Sequence, residues 1–128
     1  MKKLIFILLI TLSSGSFAQN KSCHNFHTGQ FEYTSPKYAE WQVTRTDTTQ
    51  IETSSKSGLE IYSVISWQSD CEYTLTCSKV SNPDFQKLVG KVFNVTITKT
   101  FGDNRYTCIS KCKAMEIPDL KLEMVKVN

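Results

Sequence analysis

After its first eighteen residues, the sequence has no run of about 18 uninterrupted apolar residues, the length that a membrane-spanning helix requires. It also lacks a glycine-rich phosphate loop, an H-E-x-x-H zinc motif and a G-x-S-x-G nucleophile motif. We found no internal repeat and no low-complexity linker. The sequence therefore predicts no membrane span in the mature chain, no enzyme and no cofactor.

The net charge is small as well. The chain has 15 basic and 12 acidic residues, a formal net charge of +3. Two of the basic residues, Lys2 and Lys3, belong to a predicted signal peptide, so the mature chain is close to 13 − 12 = +1. A nucleic-acid-binding domain needs a strong basic excess, so no nucleic-acid partner is predicted.

The N-terminus has the three parts of a secretory signal peptide. Its two lysines precede the apolar run Leu4–Leu12, and Ser16-Phe17-Ala18 is a small-x-small cleavage site. We predict cleavage after Ala18 and a secreted or periplasmic product. The remaining residues 19–128 are 128 − 18 = 110 residues, enough for a single domain.

Two-residue alternation of apolar and polar side chains runs through the mature chain and is typical of half-buried strands. The clearest case is a long β-hairpin over residues 59–77, with its turn at Gln68-Ser69-Asp70. Further strands are predicted over residues 30–34, 41–47, 48–54, 91–101, 105–113 and 120–127. About eight short strands in a meander predict an all-β fold, a small antiparallel barrel or a strongly curved sheet.

One short helix is expected to interrupt the strands. Asn82 is a suitable N-cap for Asp84–Val89, and Gly90 suits the end of the helix. Phe85, Leu88 and Val89 would lie on its buried side. Such a helix would plug or flank the barrel.

Cysteine is plentiful, and all five residues follow the predicted signal peptide: Cys23, Cys71, Cys77, Cys108 and Cys112. In an exported chain they favour disulfides. Within one strand, Cys71 and Cys77 would be about 20 Å apart and Cys108 and Cys112 about 13 Å, beyond the roughly 7 Å that a disulfide spans. We predict that Cys23 pairs with Cys71 and that Cys77 pairs with Cys108 or Cys112. The fifth cysteine would be an inert buried thiol.

Two constellations could carry chemistry. Cys23, His24 and His27 form C-H-x-x-H, and thiolate with imidazole can bind a transition metal. We favour surface histidines, because the stretch offers at most three ligands and one is needed for a disulfide. The strand carboxylates are interpreted as solvated polar faces: Glu32, Asp47, Glu52, Glu60, Asp70 and Glu72.

Aromatic residues occupy most of the predicted strands. A barrel of about eight strands either fills its interior with side chains or holds one small ligand, and at this length filling is the default. If the barrel is hollow, the candidate ligand contacts are Trp41, Arg45, Trp67 and Tyr73. Arg45 either points inward, where it needs a carboxylate or a ligand, or is solvated after a register slip, which we favour.

Three patterns suggest a family: C-x-x-F-x-T-G-x-F from Cys23, R-x-D-x-x-Q-x-E from Arg45, and W-x-x-D-C-E-Y-x-L from Trp67. Together they resemble small exported bacterial proteins of unknown function that are sometimes labelled as type IV DNA topoisomerase. The likeness covers nearly the whole mature chain. A strand-passing topoisomerase needs ATP-driven gates, a metal-bound acidic cluster and cytoplasmic DNA, so the resemblance implies a family without that activity.

A fainter likeness is to periplasmic lysozyme inhibitors with an S-G-x-x-Y loop, although Tyr62 follows Ser57-Gly58 one position late.

The sequence thus predicts an exported, non-enzymatic β-barrel. It would bind a small apolar or amphipathic ligand inside, or a macromolecule on its loops. The alternatives are a lysozyme-type enzyme inhibitor and a metal-binding or hydrolytic protein.

Overall fold

The computed structural model describes residues 22–128, so the predicted signal peptide lies outside the described residues. Eight antiparallel strands form a closed barrel in which each strand pairs with its neighbours in sequence and the last pairs with the first. The strands are β1 (Gly29–Tyr33), β2 (Trp41–Arg45), β3 (Thr49–Ser54), β4 (Glu60–Ser69), β5 (Glu72–Val80), β6 (Val92–Phe101), β7 (Arg105–Lys111) and β8 (Leu120–Lys126). The predicted all-β meander barrel is confirmed.

Three short 3-10 helices complete the described chain: η1 (His24–Phe26), η2 (Pro36–Tyr38) and η3 (Pro83–Leu88). In residues 22–128, no helix is long and apolar enough to cross a membrane. The helix η3 matches the predicted short helix, and Asn82 caps it by accepting a hydrogen bond from the Asp84 N–H at 2.9 Å. Gly90, with φ +86°, follows it. Phe85 was wrongly predicted to be buried, since it is 43% exposed and only Leu88, at the end of η3, lines the interior.

The strands form because their side chains alternate between the barrel interior and solvent. In β6, Val95 and Ile97 are buried while Asn94 and Thr96 are exposed. Register shifts interrupt the pairing of β4 with β5 and of β6 with β7. Such irregularities bend a strand and increase its twist, which helps a sheet of this size to close on itself.

A plug made of residues 23–27 closes one end of the barrel. Phe26 is fully buried there, with its ring 4.9 Å from that of Tyr106, and full burial of such a side chain stabilises by roughly 2 kcal/mol. A disulfide between Cys23 and Cys71 ties the plug to the residue just before β5. The predicted Cys23–Cys71 bridge is therefore confirmed.

The other three cysteines, Cys77, Cys108 and Cys112, are buried free thiols, whereas the sequence predicted a second disulfide and one thiol. The reason is strand order, because β6 lies between β5, which carries Cys77, and β7, which carries Cys108 and ends just before Cys112. Strands two positions apart are about 10 Å apart, more than the roughly 7 Å that a disulfide spans.

Candidate ligand site in the barrel interior

Arg45, on β2, is the polar centre of the barrel interior and is only 2% exposed. Its guanidinium donates four hydrogen bonds. Nε bonds the Gln50 side-chain oxygen at 2.8 Å, and Nη1 bonds the Phe26 carbonyl at 2.7 Å. Nη2 bonds the hydroxyls of Tyr73 and Tyr106, each at 3.2 Å. We call these five residues the Arg45 cluster.

The Arg45 cluster corrects the prediction that Arg45 is solvated. The register is not slipped: β2 pairs Arg45 with Gln50 and Val43 with Glu52, so Arg45 faces inward with Val43. Its charge is accommodated by neutral acceptors and by aromatic faces. The guanidinium carbon lies 4.5 Å from the ring centre of Phe31 and 4.9 Å from that of Tyr73. Arginine stays charged under all ordinary conditions, so the end of the barrel interior that the Arg45 cluster fills carries a positive charge.

The other half of the barrel is hollow. A cavity of about 160 Å³ lies between the Arg45 cluster and η3. Its walls are mostly apolar and include Ile61, Leu75, Leu88, Phe93, Val95, Leu120, Leu122 and Met124. Leu120, at the start of β8, is 38% exposed, so the cavity reaches toward solvent beside it. The default expectation of a filled interior holds for the plugged half only.

Glu52, on β3, brings a carboxylate into this cavity. It accepts a hydrogen bond from the Tyr33 hydroxyl at 2.9 Å. Burial raises the pKa of Glu52, while the hydrogen bond from Tyr33 and the charge of Arg45 act in the opposite direction. Burial likewise raises the pKa of Tyr33. The prediction that Glu52 belongs to a solvated face is wrong, because its partner across the hairpin, Val43, faces the core.

Two further polar side chains line the cavity with hydrogen-bonding capacity to spare. Gln50, 3% exposed, uses its oxygen for Arg45, and the structure gives its amide nitrogen no partner within residues 22–128. Ser63, 6% exposed, has no hydrogen-bond partner for its hydroxyl in the same range. Sequence reasoning missed Tyr33, Gln50, Glu52 and Ser63 as site residues. The signal that could have found them is the β2–β3 hairpin register, which puts Gln50 and Glu52 on the face of Arg45 and Val43.

Two of the free thiols, those of Cys77 and Cys108, also line the cavity. Burial raises the pKa of Cys108 to about 12, and burial also raises that of Cys77. Both are thiols rather than thiolates at neutral pH, and the thiolate is the nucleophilic form. They contribute soft, weakly polar surface to the cavity wall.

The four candidate ligand contacts from the sequence are dispersed. Tyr73 lines the cavity, and Arg45 lies one layer below it, bonded to the cavity-lining Gln50 and Tyr73. Trp41 borders a separate shallow pocket of about 130 Å³, which also touches Tyr33 and Glu52. Trp67 lies near the plug, with its ring 4.6 Å from Tyr73.

The histidines of the C-H-x-x-H stretch take up different positions. His27 stacks on Trp67 with ring centres 3.5 Å apart, and its Nε2 lies 2.8 Å from the Asp70 carbonyl oxygen, to which it donates. His24 is exposed. Across residues 22–128, the one group of three potential metal ligands is Cys23, Asp70 and Cys71, and its two sulfurs are joined in the disulfide.

The half-buried carboxylate of Glu52 makes a pH-dependent stability difference testable. We expect Glu52→Gln to gain stability relative to wild type as pH rises from about 4.5. Because the folded-state pKa of Glu52 is raised, the folded protein binds this proton more tightly than the unfolded chain. The contribution of Glu52 to the wild-type free energy of unfolding therefore falls from pH 4.5 up to its folded-state pKa and then levels off.

Urea unfolding of both proteins between pH 4 and pH 8 measures this difference. Glu32→Gln, on an exposed position of β1, controls for the loss of one negative charge. A difference that stays constant with pH, or that has the opposite sign, would contradict the placement of Glu52 on the inner face of the barrel.

The fold and its interior together define the class of protein: a small, disulfide-bonded, closed antiparallel β-barrel with a partly polar cavity. Comparisons with models of protein families, with curated proteins and with solved structures found no match to the chain. The resemblance to small exported bacterial proteins stays a prediction. Its quoted patterns nevertheless contain many residues of the plug, the Arg45 cluster and the cavity wall.

Proposed function

We propose that this protein is an exported, non-enzymatic binding protein that holds one small, largely apolar molecule inside the barrel. The observation that carries the proposal is the cavity of about 160 Å³, whose apolar wall is interrupted by a few convergent polar groups. That combination is typical of small-molecule sites. An engineered protein cavity of about 150 Å³ is large enough to bind benzene or xenon, so the volume is adequate.

The chemistry of the cavity supports binding over catalysis. The cysteine sulfurs that line it, those of Cys77 and Cys108, are held protonated by burial. Glu52 is held by Tyr33, and Arg45 is engaged by four acceptors below the cavity. These groups are fixed in place before a ligand arrives, which reduces the ordering cost of binding.

The disulfide supports export. Bonds such as Cys23–Cys71 form and persist in oxidising compartments, including the bacterial periplasm and the extracellular medium. This agrees with the signal peptide predicted over residues 1–18.

Toluene binding tests the proposal. We expect toluene to shift the NMR resonances of cavity-lining residues such as Leu75, Val95 and Leu122 in the mature, oxidised protein. Ser63→Leu should weaken this binding about tenfold or more, because the larger side chain occupies cavity volume. Native mass spectrometry of the protein taken from its own compartment would show any co-purifying molecule as extra mass.

Ser66→Leu is the matched control, since Ser66 lies on the same strand but is exposed on the outer face. It should leave toluene binding unchanged. Shifts confined to the outer surface, or equal affinity in Ser63→Leu and wild type, would refute an interior site.

A further inference from the structure

We infer that the cavity selects an electrically neutral molecule of about the size of phenol, whose hydroxyl group donates a hydrogen bond to the Glu52 carboxylate. This inference rests on the proposed function and specifies the chemical class of the ligand. Three properties of the interior support it: an acceptor with remaining capacity, a balance of buried charge, and a small volume.

The acceptor is Glu52. An ionised carboxylate has about four lone-pair sites. Within residues 22–128, one donor reaches the carboxylate of Glu52, the hydroxyl of Tyr33 at 2.9 Å. Glu52 is half-buried at the cavity wall, and a ligand that covers this wall would leave its carboxylate short of partners unless it supplies a second donor.

The charge balance excludes a charged ligand. Arg45 is a cation and Glu52 an anion inside one barrel. The positive charge of Arg45 lowers the pKa of Glu52 and so favours its ionised form. An ammonium group would add a third, uncompensated charge to a poorly hydrated space. A carboxylate ligand would face Glu52, while Arg45 is already bonded to Gln50, Phe26 and both tyrosines. A neutral ligand leaves the balance intact.

The volume limits the size of the ligand. A space of about 160 Å³ resembles the engineered cavity of about 150 Å³ that takes up benzene. The apolar wall, which includes Leu75, Phe93 and Leu122, suits a ring or a short branched chain. One six-membered ring with one hydroxyl meets both requirements.

The test compares phenol with toluene, which has nearly the same shape but a methyl group in place of the hydroxyl. Phenol must give up hydrogen bonds to water, so a cavity without an acceptor would prefer toluene. We expect wild-type protein to bind phenol about tenfold more tightly than toluene, measured by NMR titration at pH 7.5. In Glu52→Gln the preference should shrink several-fold, because a neutral amide oxygen is a weaker acceptor than a carboxylate.

Tyr33→Phe is the second variant, which removes the hydroxyl and leaves Glu52 in place. It should retain the preference for phenol. The inference is overturned if wild type prefers toluene, if benzylamine or benzoate binds more tightly than phenol, or if Tyr33→Phe alone abolishes the preference. Toluene binding without a preference for phenol would leave the proposed function standing, whereas failure of both probes to bind would overturn both.

Discussion

Arg45→Met is expected to lower the free energy of unfolding by about 4 kcal/mol, as measured by urea denaturation at pH 7. Methionine is apolar, flexible and of similar volume, although its side chain is shorter, so the change removes the charge and the hydrogen bonds without opening a large cavity. Four acceptors lose their donor, on Gln50, Phe26, Tyr73 and Tyr106, and a buried group left unpaired costs about 1–3 kcal/mol. Glu52 also loses the one opposite charge that acts on it.

The control for this variant is Arg105→Met. Arg105 is 45% exposed and lies 3.7 Å from Glu123, a geometry in which an ion pair contributes less than about 1 kcal/mol. The double variant Arg45→Met/Glu52→Gln separates the two causes. Because no carboxylate charge is then left behind, it should lose less stability than the sum of the single changes. Equal losses for Arg45→Met and Arg105→Met would contradict the buried position of Arg45.

Removal of the disulfide is the second change with a large expected effect. Cys23 and Cys71 are 48 residues apart, and closing a loop of that length restricts the unfolded chain by about 4 kcal/mol. Cys23→Ser/Cys71→Ser should lose about that much stability. The plug would also be released. Arg45 would then lose its hydrogen bond to the Phe26 carbonyl, and Tyr106 would lose its contact with the Phe26 ring.

Guanidinium denaturation of the double serine variant, and of wild type with and without reductant, measures this effect. Cys112→Ala is the matched control, since it removes a buried sulfur that forms no disulfide, and it should cost about 1 kcal/mol or less. If reduction left the stability of wild type unchanged, the plug would not depend on the disulfide.

Much of the fold follows from the sequence because its physical causes are local. Period-two alternation predicted the hairpin of β4 and β5, with buried Ile65 and Leu75 paired across it. Asn82 and Gly90 marked the ends of η3. The disulfide between Cys23 and Cys71 was predicted because Cys23 lies on the N-terminal segment before the first strand, which can extend to Cys71 at the end of the central hairpin.

The polar interior could not be predicted in the same way, because β3 inverts the usual pattern. Its inner face carries Gln50, Glu52 and Ser54, and Ile51 is on the other face. A rule that points apolar residues inward therefore assigns this strand the wrong face. The inversion is stable because Arg45, Tyr33 and other interior groups satisfy the polar side chains, and those partners come from other strands.

The remaining thiols and the cavity depend on non-local geometry as well. Whether Cys77 can reach Cys108 is decided by the strand between them, and strand order in space is not encoded in the spacing of the cysteines. The cavity exists because bulky side chains concentrate at the plugged end, where Phe26, Phe31, Tyr73 and Tyr106 surround Arg45. The opposite end is bordered by smaller groups such as Ser63 and Ser110.

The most direct test of the account is a crystal structure of the mature, oxidised protein soaked with bromobenzene, with anomalous data collected at the bromine edge. We predict a bromine peak inside the barrel, between Glu52, Leu75 and Leu122, above an intact Arg45 cluster. Bromine peaks on the outer surface alone, with side chains or ordered water filling the interior, would contradict the claim that this barrel is built to hold a small molecule.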